Sequence, residues 1–285
     1  MNEPYPHFTA IRDATPDVRS YLCSVALQQG PSLSQHGTAT VLEVGSRLYV
    51  VTAAHVIREH LDGTNLLLGA DVEFVPGRGT WAFSKPGAKT NPEDLVDPAV
   101  LELDPGLNTK FARKSKVRIA DIDWEDQPLQ VAFTICGLPS AMSRKSWSAN
   151  EMLGFEALQI TGQLVPVKKA GLAGLARYRE DHHMLLEADQ SSMVGRDGDP
   201  MRLQSVDGLP LSVPGDIGGM SGAAVWGFVK WDVDPEKWTK DSWKVVGFQH
   251  AVDRNEGLIR VTRANRLLHL LRQFPSASVV IDALY

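Results

Sequence analysis

The sequence is poor in cysteine and has no long apolar run. Only Cys23 and Cys136 occur among 285 residues, and each lies inside an apolar stretch. Two cysteines cannot form a zinc site on their own, and their apolar surroundings favour buried, reduced thiols over a disulfide or a nucleophile. No apolar run approaches the ~20 residues that a membrane-spanning helix requires. We therefore expect a protein that has no metal site and does not span a membrane.

The chain also lacks an excess of positive charge. Its 29 basic and 34 acidic residues give a net charge of −5, so no overall positive field attracts nucleic acid. Hydrophobic residues make up 43% of the chain, enough to bury a core, which excludes disorder of the whole chain. Residues 1–20 lack the basic stretch and the following apolar stretch of a signal peptide. We expect a cytoplasmic protein.

Short segments with the pattern of β-strands recur along the chain, with Gly, Pro and Asp between them. They span residues 21–28, 37–44, 47–52, 66–75, 98–103, 129–136, 158–167, 184–188, 223–230 and 244–251. This spacing predicts an all-β fold of sandwich or barrel type, with a hairpin around Gly45-Ser46. The clearest helix runs from Thr262, which can cap it, to Phe274, and Pro275 ends it.

A basic segment divides the chain into two halves. Residues 108–118 hold five basic residues in eleven and few apolar ones, which indicates a solvated linker rather than a phosphate-binding patch. The resulting organisation is an N-terminal extension (1–19), a first half (20–107), the linker, a second half (119–260) and a C-terminal helix and tail (261–285).

Three segments carry residue types that act together in catalysis. An apolar strand ends in Thr-Ala-Ala and then presents His55. Asp97 opens an apolar strand, and the proline after it disfavours helical geometry at the aspartate. Ser221 lies in a glycine-rich turn just before another apolar strand. Each segment alone is common, so it is their joint occurrence in this order that indicates a site.

Together these motifs resemble the trypsin-like (chymotrypsin-fold) serine proteases of bacterial type. The resemblance rests on GTATVLEVGSRLYVVTAAHVI, DPAVLEL, GGMSGAAVW and VVGFQHA, and it covers about residues 21–274. It implies two antiparallel six-stranded β-barrels packed side by side, followed by a C-terminal α-helix. The active site would lie between the barrels, with His55 and Asp97 from the first and Ser221 from the second.

The resemblance assigns a role to each residue of the triad. Ser221 is the nucleophile, since a serine hydroxyl needs a base to remove its proton during attack. His55 is that base and later the acid, and Asp97 fixes its tautomer. Asp94 is the rival for the third role, but no Ala-Val-Leu strand follows it. The order His, Asp, Ser differs from the order of an α/β-hydrolase.

The glycines before the nucleophile have a role of their own. The backbone N–H groups of Gly219 and Ser221 are expected to form the oxyanion hole, which stabilises the negative charge of the tetrahedral intermediate. Gly218 and Gly219 tolerate the backbone angles that such a turn needs.

The chain departs from the family's digestive members at Met220. Those enzymes carry an aspartate there, which pairs with a newly cut N-terminus, whereas a thioether cannot hold a buried ammonium. The activation switch should therefore be absent. The oxyanion loop would be preformed, or ordered by the weakly patterned segment 190–211, by a partner or by the substrate.

Two interpretations of substrate specificity stay open. Gly215 takes the place at the base of the primary pocket, and its neighbour Asp216 could receive a basic side chain. On the strand that lines the cleft, His250 lies near the position where glutamate-specific relatives carry a histidine and could bind an acidic side chain. Ala251 and Val252 follow it on that strand.

Two aromatic features have simpler interpretations. The pair His182-His183 lacks metal-binding spacing and is expected at the surface. Trp231, Trp238 and Trp243 belong to one predicted hairpin, which either packs against the second half or binds a partner through exposed aromatic rings.

The sequence thus predicts a serine endopeptidase that cleaves a protein substrate through an acyl-enzyme, without metal or organic cofactor. One alternative is a protease-fold binding module that stays inactive until an activating protein partner triggers it. Another is an esterase or acyltransferase on the same fold. A cytoplasmic location fits an effector of a defence system that is held inactive until a signal arrives.

Overall fold

The computed structural model describes residues 10, 14–60, 65–71, 73–83, 97–125, 132–142, 157–162, 181–187, 203–204, 209–213, 216–229, 234–253 and 257–284. Within these residues the chain is mostly β-strand, and its helices are short. The strands form two main sheets and one two-stranded ribbon.

The N-terminal sheet has eight strands. They are β1 (Leu22–Gln29), β2 (Ser32–Val44), β3 (Arg47–Ala53), β4 (Leu66–Gly69), β5 (Phe74–Pro76), β6 (Gly79–Phe83), β7 (Pro98–Leu103) and β8 (Val117–Arg118). Seven of them follow the order β5-β4-β1-β2-β3-β7-β6, and β8 pairs with β2 in parallel. All other described pairs of this sheet are antiparallel.

The C-terminal sheet has six strands, all antiparallel. They are β9 (Phe133–Gly137), β10 (Leu158–Gly162), β11 (His183–Glu187), β14 (Ala224–Phe228), β15 (Trp243–Asp253) and β16 (Leu258–Arg263). Their order is β10-β9-β14-β15-β16-β11, while β12 (Leu203–Gln204) and β13 (Pro210–Leu211) form the ribbon. The α-helices of the described residues outside the N-terminal stretch are α1 (Ala54–Ile57), α2 (Asn265–Leu271) and α3 (Pro275–Asp282).

The all-β prediction is confirmed at the level of the fold class. Among the described residues no pairing joins β5 to β6 or β10 to β11, so the described pairings do not establish two closed six-stranded barrels. The first sheet also has eight strands where six were expected, because β5 and β8 add short pairings at β4 and β2.

The strands that lead into the candidate site lie where the sequence places them. The hairpin β2–β3 pairs Val44 with Arg47, and Gly45 takes a φ of +60° in its turn, a conformation that glycine adopts without a steric penalty. Strand β7 spans Pro98–Leu103, as predicted, and pairs with β3.

Other predicted elements differ from the structure. Residues 66–75 form β4, a turn and β5, because a backbone bond from Ala70 N to Glu73 O reverses the chain. The predicted linker 108–118 contains the end of a 3-10 helix and strand β8, and it is anchored by the buried side chains of Phe111 and Val117.

The C-terminal helix begins later than predicted. Thr262 lies in β16, where it pairs with Phe248 on one side and His183 on the other, so it caps no helix. The helix α2 starts at Asn265, and Pro275 opens a second helix, α3, as well as ending the first segment. Proline suits the first turn of a helix because the missing N–H has no partner there.

Three apolar clusters hold the sheets together. One lies within each sheet, and the third is shared by the two sheets and the C-terminal helices. The shared cluster includes Leu42 and Tyr49 of the first sheet, Trp226 of the second, and Phe274 beside α3. Burial of apolar surface at this shared cluster fixes the sheets against each other.

The aromatic predictions have mixed outcomes. Trp238 and Trp243 are buried against Phe228, with ring centroids 4.6 and 5.4 Å away, so these two residues pack against the protein. Trp231 lies outside the described residues. The expectation that the histidine pair is at the surface was wrong for His183, which is fully buried on β11. No helix of the described residues is both long and apolar enough to cross a membrane.

The two cysteines give a test of this core. Both are free and buried, and burial raises the pKa of each thiol to about 12. Because the thiolate is the reactive form, iodoacetamide at pH 8 should modify the native protein slowly and should add two groups once urea unfolds it without reductant. Intact mass spectrometry gives the count, and Cys23→Ser should leave one modification. Two groups that appear only after reduction would instead indicate a disulfide.

Candidate active site

The structure brings His55 and Asp97 into direct contact. His55 Nδ1 hydrogen-bonds to Asp97 Oδ2. The other carboxylate oxygen, Oδ1, accepts from the His55 backbone N–H at 3.1 Å, and the Asp97 backbone carbonyl accepts from Ala54 N at 2.6 Å. The aspartate therefore holds both the ring and the backbone of the histidine. With Nδ1–H as the donor, Nε2 is the basic nitrogen.

Local structure explains this arrangement. Strand β3 ends at Ala53, and the one-turn helix α1 then presents His55 while the residues around it stay buried. The side chain of His55 is 51% exposed, whereas that of Asp97 is only 16% exposed. Pro98 begins β7, which pairs with β3 through Ala53, so neighbouring strands deliver the two side chains. The exposed ring can reach a substrate while the aspartate stays shielded.

Ser221 lies on the glycine-rich loop (residues 216–222), which packs against the first sheet. Its backbone carbonyl accepts from the N–H of Thr38 on β2 at 3.0 Å. A Cβ at Gly222 would lie 2.1 Å from the Thr38 carbonyl oxygen and 2.5 Å from Thr52 Oγ1. Gly222 also has a φ of +95°, which side chains strongly disfavour. Only glycine allows this close approach.

The serine is thus close to the strand that ends at the histidine, since Thr52 precedes His55 by three residues. In the described structure no hydrogen bond joins Ser221 Oγ to His55 Nε2. Such bonds are often long in the absence of substrate and tighten in the complex. The structure therefore shows a formed histidine–aspartate pair and a serine on a loop that packs against the strand leading to that histidine.

The backbone of the glycine-rich loop leaves two donors available. Among the described residues, neither the Gly219 N–H nor the Ser221 N–H donates to another group. Gly219 has a φ of +95°, and a Cβ there would lie 2.4 Å from Ser140 Oγ. The predicted oxyanion donors are therefore unoccupied, and the conformation at 219 requires glycine.

Met220 anchors the same loop on its other side. Its side chain is fully buried in the apolar cluster of the second sheet and covers Gly137, where a Cβ would lie 2.8 Å from Met220 Cγ. Apolar packing of the Met220 side chain therefore holds this side of the loop.

The predicted specificity residues have separate surroundings. The carboxylate of Asp216 is exposed and accepts from the N–H and the hydroxyl of Ser212 at 2.8 and 3.0 Å. His250 is mostly buried on β15, with Nδ1 3.1 Å from Thr262 Oγ1 and its ring 5.1 Å from that of His183. Ala251 and Val252 continue β15 and are partly buried. Gly215 and the rival aspartate Asp94 lie outside the described residues.

Burial lowers the pKa of His250 well below its usual range, and the nearby His183, Arg260 and His55 add to the effect. The imidazole is therefore neutral near pH 7. No group of three or more potential metal ligands occurs in the part of the chain that the structure describes.

Comparisons with known proteins add a structural likeness. No protein-family model matches the chain, and no curated protein matches it. A solved structure described under "Aromatic interactions drive the coupled folding and binding of the intrinsically disordered Sesbania mosaic virus VPg protein" has 12% sequence identity. The match covers 92% of this chain and 94% of that chain, with a TM-score of 0.44. A likeness at this level supports no conclusion about function.

Sequence reasoning missed Thr38 and Thr52. Both are fully buried, and the hydroxyl of Thr52 donates to the backbone carbonyl of Thr38 at 2.8 Å. The available signal was the alternation in the segment Gly37–Thr40, which places two hydroxyl groups on one face of a strand with apolar surroundings. A buried polar side chain needs a partner. The Thr38 hydroxyl finds its partners, Gly219 O and Leu138 N, in the other half of the chain.

The lowered pKa of His250 predicts how stability depends on pH. Below about pH 6.5 the unfolded chain protonates this histidine while the folded chain does not, so acidification favours unfolding. Urea unfolding between pH 7.5 and 5.5 should show a falling free energy of unfolding, and His250→Phe should reduce the slope by at most about 1.4 kcal/mol per pH unit. Thr262→Val keeps the buried ring and should keep most of the slope. Equal slopes in wild type and His250→Phe would contradict the burial argument.

Proposed function

We propose that this chain is a serine endopeptidase of the trypsin-like type. The observation that carries the proposal is a set of three hydrogen bonds that Asp97 makes around His55. Its carboxylate bonds to the His55 ring and to the His55 backbone N–H, and its backbone carbonyl accepts from Ala54 N. A histidine held this way has a defined tautomer with a basic Nε2. The neighbouring Ser221, with two available backbone donors, supplies the nucleophile and the oxyanion site.

The residues divide the reaction between them. Ser221 Oγ attacks the carbonyl carbon of the scissile peptide bond while His55 Nε2 takes its proton. The carbonyl oxygen becomes negative and accepts from the N–H groups of Gly219 and Ser221. His55 then returns the proton to the leaving amine, which breaks the C–N bond and leaves an acyl-enzyme. Water, deprotonated by the same Nε2, hydrolyses the ester and restores the serine.

The proposal includes the finer architecture of the family. We assign the first sheet and the second sheet to the two β-barrels of a chymotrypsin-like fold, with the site between them. The contact of the glycine-rich loop with β2 and β3 supports this assignment, because it places residues of the two halves side by side. The proposed substrate is a protein, the proposed compartment is the cytoplasm, and the chemistry uses only side chains and backbone.

One observation favours a second candidate, a protease-fold module that turns over only when a protein partner triggers it. Ser221 Oγ and His55 Nε2 are not hydrogen-bonded in the described structure. A partner that shifts the glycine-rich loop toward α1 would complete the triad. Labelling by an active-site probe separates the two candidates.

The three residues should act as a unit. Ser221→Ala and His55→Ala should each abolish labelling by a fluorophosphonate probe and cleavage of a denatured protein substrate. The double variant should be no slower than either single variant, because each change removes the same proton-transfer step. His60→Ala, a change at a histidine in the same segment, is the matched control and should label like wild type.

Two results would go against the enzyme. Additive losses in the double variant would show that the residues do not act in one step. A folded wild-type protein that never labels, with or without cell extract, would favour the binding module.

We propose further that the site prefers an acidic or amide side chain before the scissile bond, held by His250. The Nε2 atom of His250 makes no hydrogen bond to any described residue, while Nδ1 faces Thr262. The nearby Arg260 contributes positive charge. By contrast, the carboxylate of Asp216 already accepts two bonds from Ser212 and lies exposed on its turn.

A peptide library with one varied residue before the cleavage site tests this preference. Wild type should favour Glu, Asp or Gln over Lys and Arg. His250→Val should lower kcat/KM for the Glu peptide at least about tenfold, the cost of one lost hydrogen bond to a charged group, and should change a Leu peptide little. Asp216→Asn serves as the matched variant and should leave the preference unchanged. A preference for Lys or Arg that is lost in Asp216→Asn would assign specificity to Asp216 instead.

A further inference from the structure

An oxyanion site made of backbone N–H groups depends on how successive peptide planes are turned. In a planar trans peptide the C=O and N–H groups point in opposite directions. A hydrogen bond that fixes one carbonyl therefore also fixes the N–H of the next residue. The two relevant N–H groups, of Gly219 and Ser221, follow the carbonyls of Gly218 and Met220.

All four carbonyls from Gly218 to Ser221 are bonded in the structure. Gly218 O accepts from Ser140 N at 2.7 Å, Gly219 O from Thr38 Oγ1 at 2.8 Å, Met220 O from Ala223 N at 3.0 Å, and Ser221 O from Thr38 N at 3.0 Å. Both oxyanion N–H groups thus have a defined direction before any substrate binds.

Thr38 has a central place in this set of bonds. Its hydroxyl and its backbone N–H hold the carbonyls of Gly219 and Ser221, on the peptide planes that directly follow those of the two oxyanion N–H groups. The same hydroxyl oxygen accepts from Leu138 N at 2.9 Å, two residues before Ser140, whose N–H holds the Gly218 carbonyl. A single buried oxygen atom therefore restrains the glycine-rich loop directly and also anchors the segment that restrains it from the other side.

Thr38 is itself firmly placed. It is 0% exposed, its strand pairs with β1, and its carbonyl accepts from Thr52 Oγ1 at 2.8 Å. Thr52 is on β3, the strand that ends at His55. Thr38 therefore contacts both the strand that presents His55 and the loop that carries the oxyanion donors.

The loop needs such a restraint because of its composition. Gly218 and Gly219 are adjacent, and glycine pays little for alternative backbone angles, including the φ of +95° observed at Gly219. A turned peptide plane at this point would move the Gly219 N–H away from the oxyanion without disturbing the rest of the fold.

We propose that Thr38 is a positioning residue of this site, acting through its hydroxyl, which bridges Leu138 N and Gly219 O and so keeps the oxyanion donors in place. The proposal rests on the proposed function. Thr38 touches no reacting atom, and its effect is transmitted through Gly219 and through the 138–140 segment.

The experiment replaces the hydroxyl by a methyl group of similar size and measures how the chain reacts with a fluorophosphonate probe. The probe forms a bond between Ser221 Oγ and phosphorus while fluoride leaves, and its phosphoryl oxygen takes the position of the oxyanion. Thr38→Val should lower the maximal rate of labelling by about 10- to 10²-fold, somewhat less than complete removal of an oxyanion donor. The probe concentration at half-maximal rate should change less than threefold, since initial binding of the probe does not use these donors.

Two variants make the test specific. Thr38→Ser keeps the hydroxyl and should restore the rate to within about threefold of wild type. Thr40→Val is the matched control, because Thr40 lies two residues along the same strand and is also buried. Its hydroxyl accepts from Ala224 N, at the start of β14, at 3.1 Å. Thermal unfolding should show a comparable loss of stability in both valine variants, but only Thr38→Val should lose the labelling rate.

The outcomes separate this proposal from the proposed function. If wild type labels and both valine variants slow equally, or if neither slows, the positioning role is wrong while the serine protease stands. If Thr38→Val does not fold, the serine variant decides, and a folded Thr38→Ser that has lost its labelling rate overturns the role of the hydroxyl. If wild type itself never labels, it is the proposed function that has failed.

Discussion

The backbone of the glycine-rich loop lies directly against strands β2 and β3, and this contact places Ser221 beside the strand that ends at His55. The approach is so close at Gly222 that a single Cβ would overlap the Thr38 carbonyl and the Thr52 hydroxyl. The serine is therefore delivered by backbone contact rather than by a long side chain. Because Thr52 lies on the strand that ends at His55, the same contact holds the Ser221 segment against the strand that presents the histidine. A contact between backbone atoms is also better defined than one between side chains, because side chains can change rotamer.

Different forces provide the stability and the precision of this arrangement. The apolar cluster shared by the two sheets, with Leu42, Trp226 and Phe274 among its members, stabilises the contact between the sheets through burial of apolar surface. The hydrogen bonds at the contact add about 0.5–1.5 kcal/mol each, but an unpaired buried donor or acceptor costs about 1–3 kcal/mol. The hydrogen bonds at this contact thus act mainly by making other positions of the loop on the two strands unfavourable. This explains why buried threonine hydroxyls occur on a strand whose neighbours are apolar.

The sequence predicts those parts of the molecule whose structure is determined by residues that are neighbours in the chain. The hairpin at Gly45 and the strand after Pro98 follow from short motifs, while the pairing of His55 with Asp97 follows from the resemblance of their motifs to a known family. Thr38 could not be found this way, since its partners lie about 100 and 181 residues further along the chain, and threonine is an ordinary strand residue. Thr262 was assigned to a helix because it is a good cap, but pairing with strands on both sides outweighs that local preference. Closure of either sheet into a barrel depends on pairings that no local pattern specifies.

The buried Met220 shows how such a loop can be ordered without a charged anchor. A buried carboxylate must be paired with a cation and supplied with further hydrogen bonds before it stabilises its surroundings. A methionine needs neither, and its flexible thioether side chain fills the space over Gly137 within the apolar cluster of the second sheet. Its anchoring contacts, like those that Thr38 and Ser140 make with the loop, come from within the described residues.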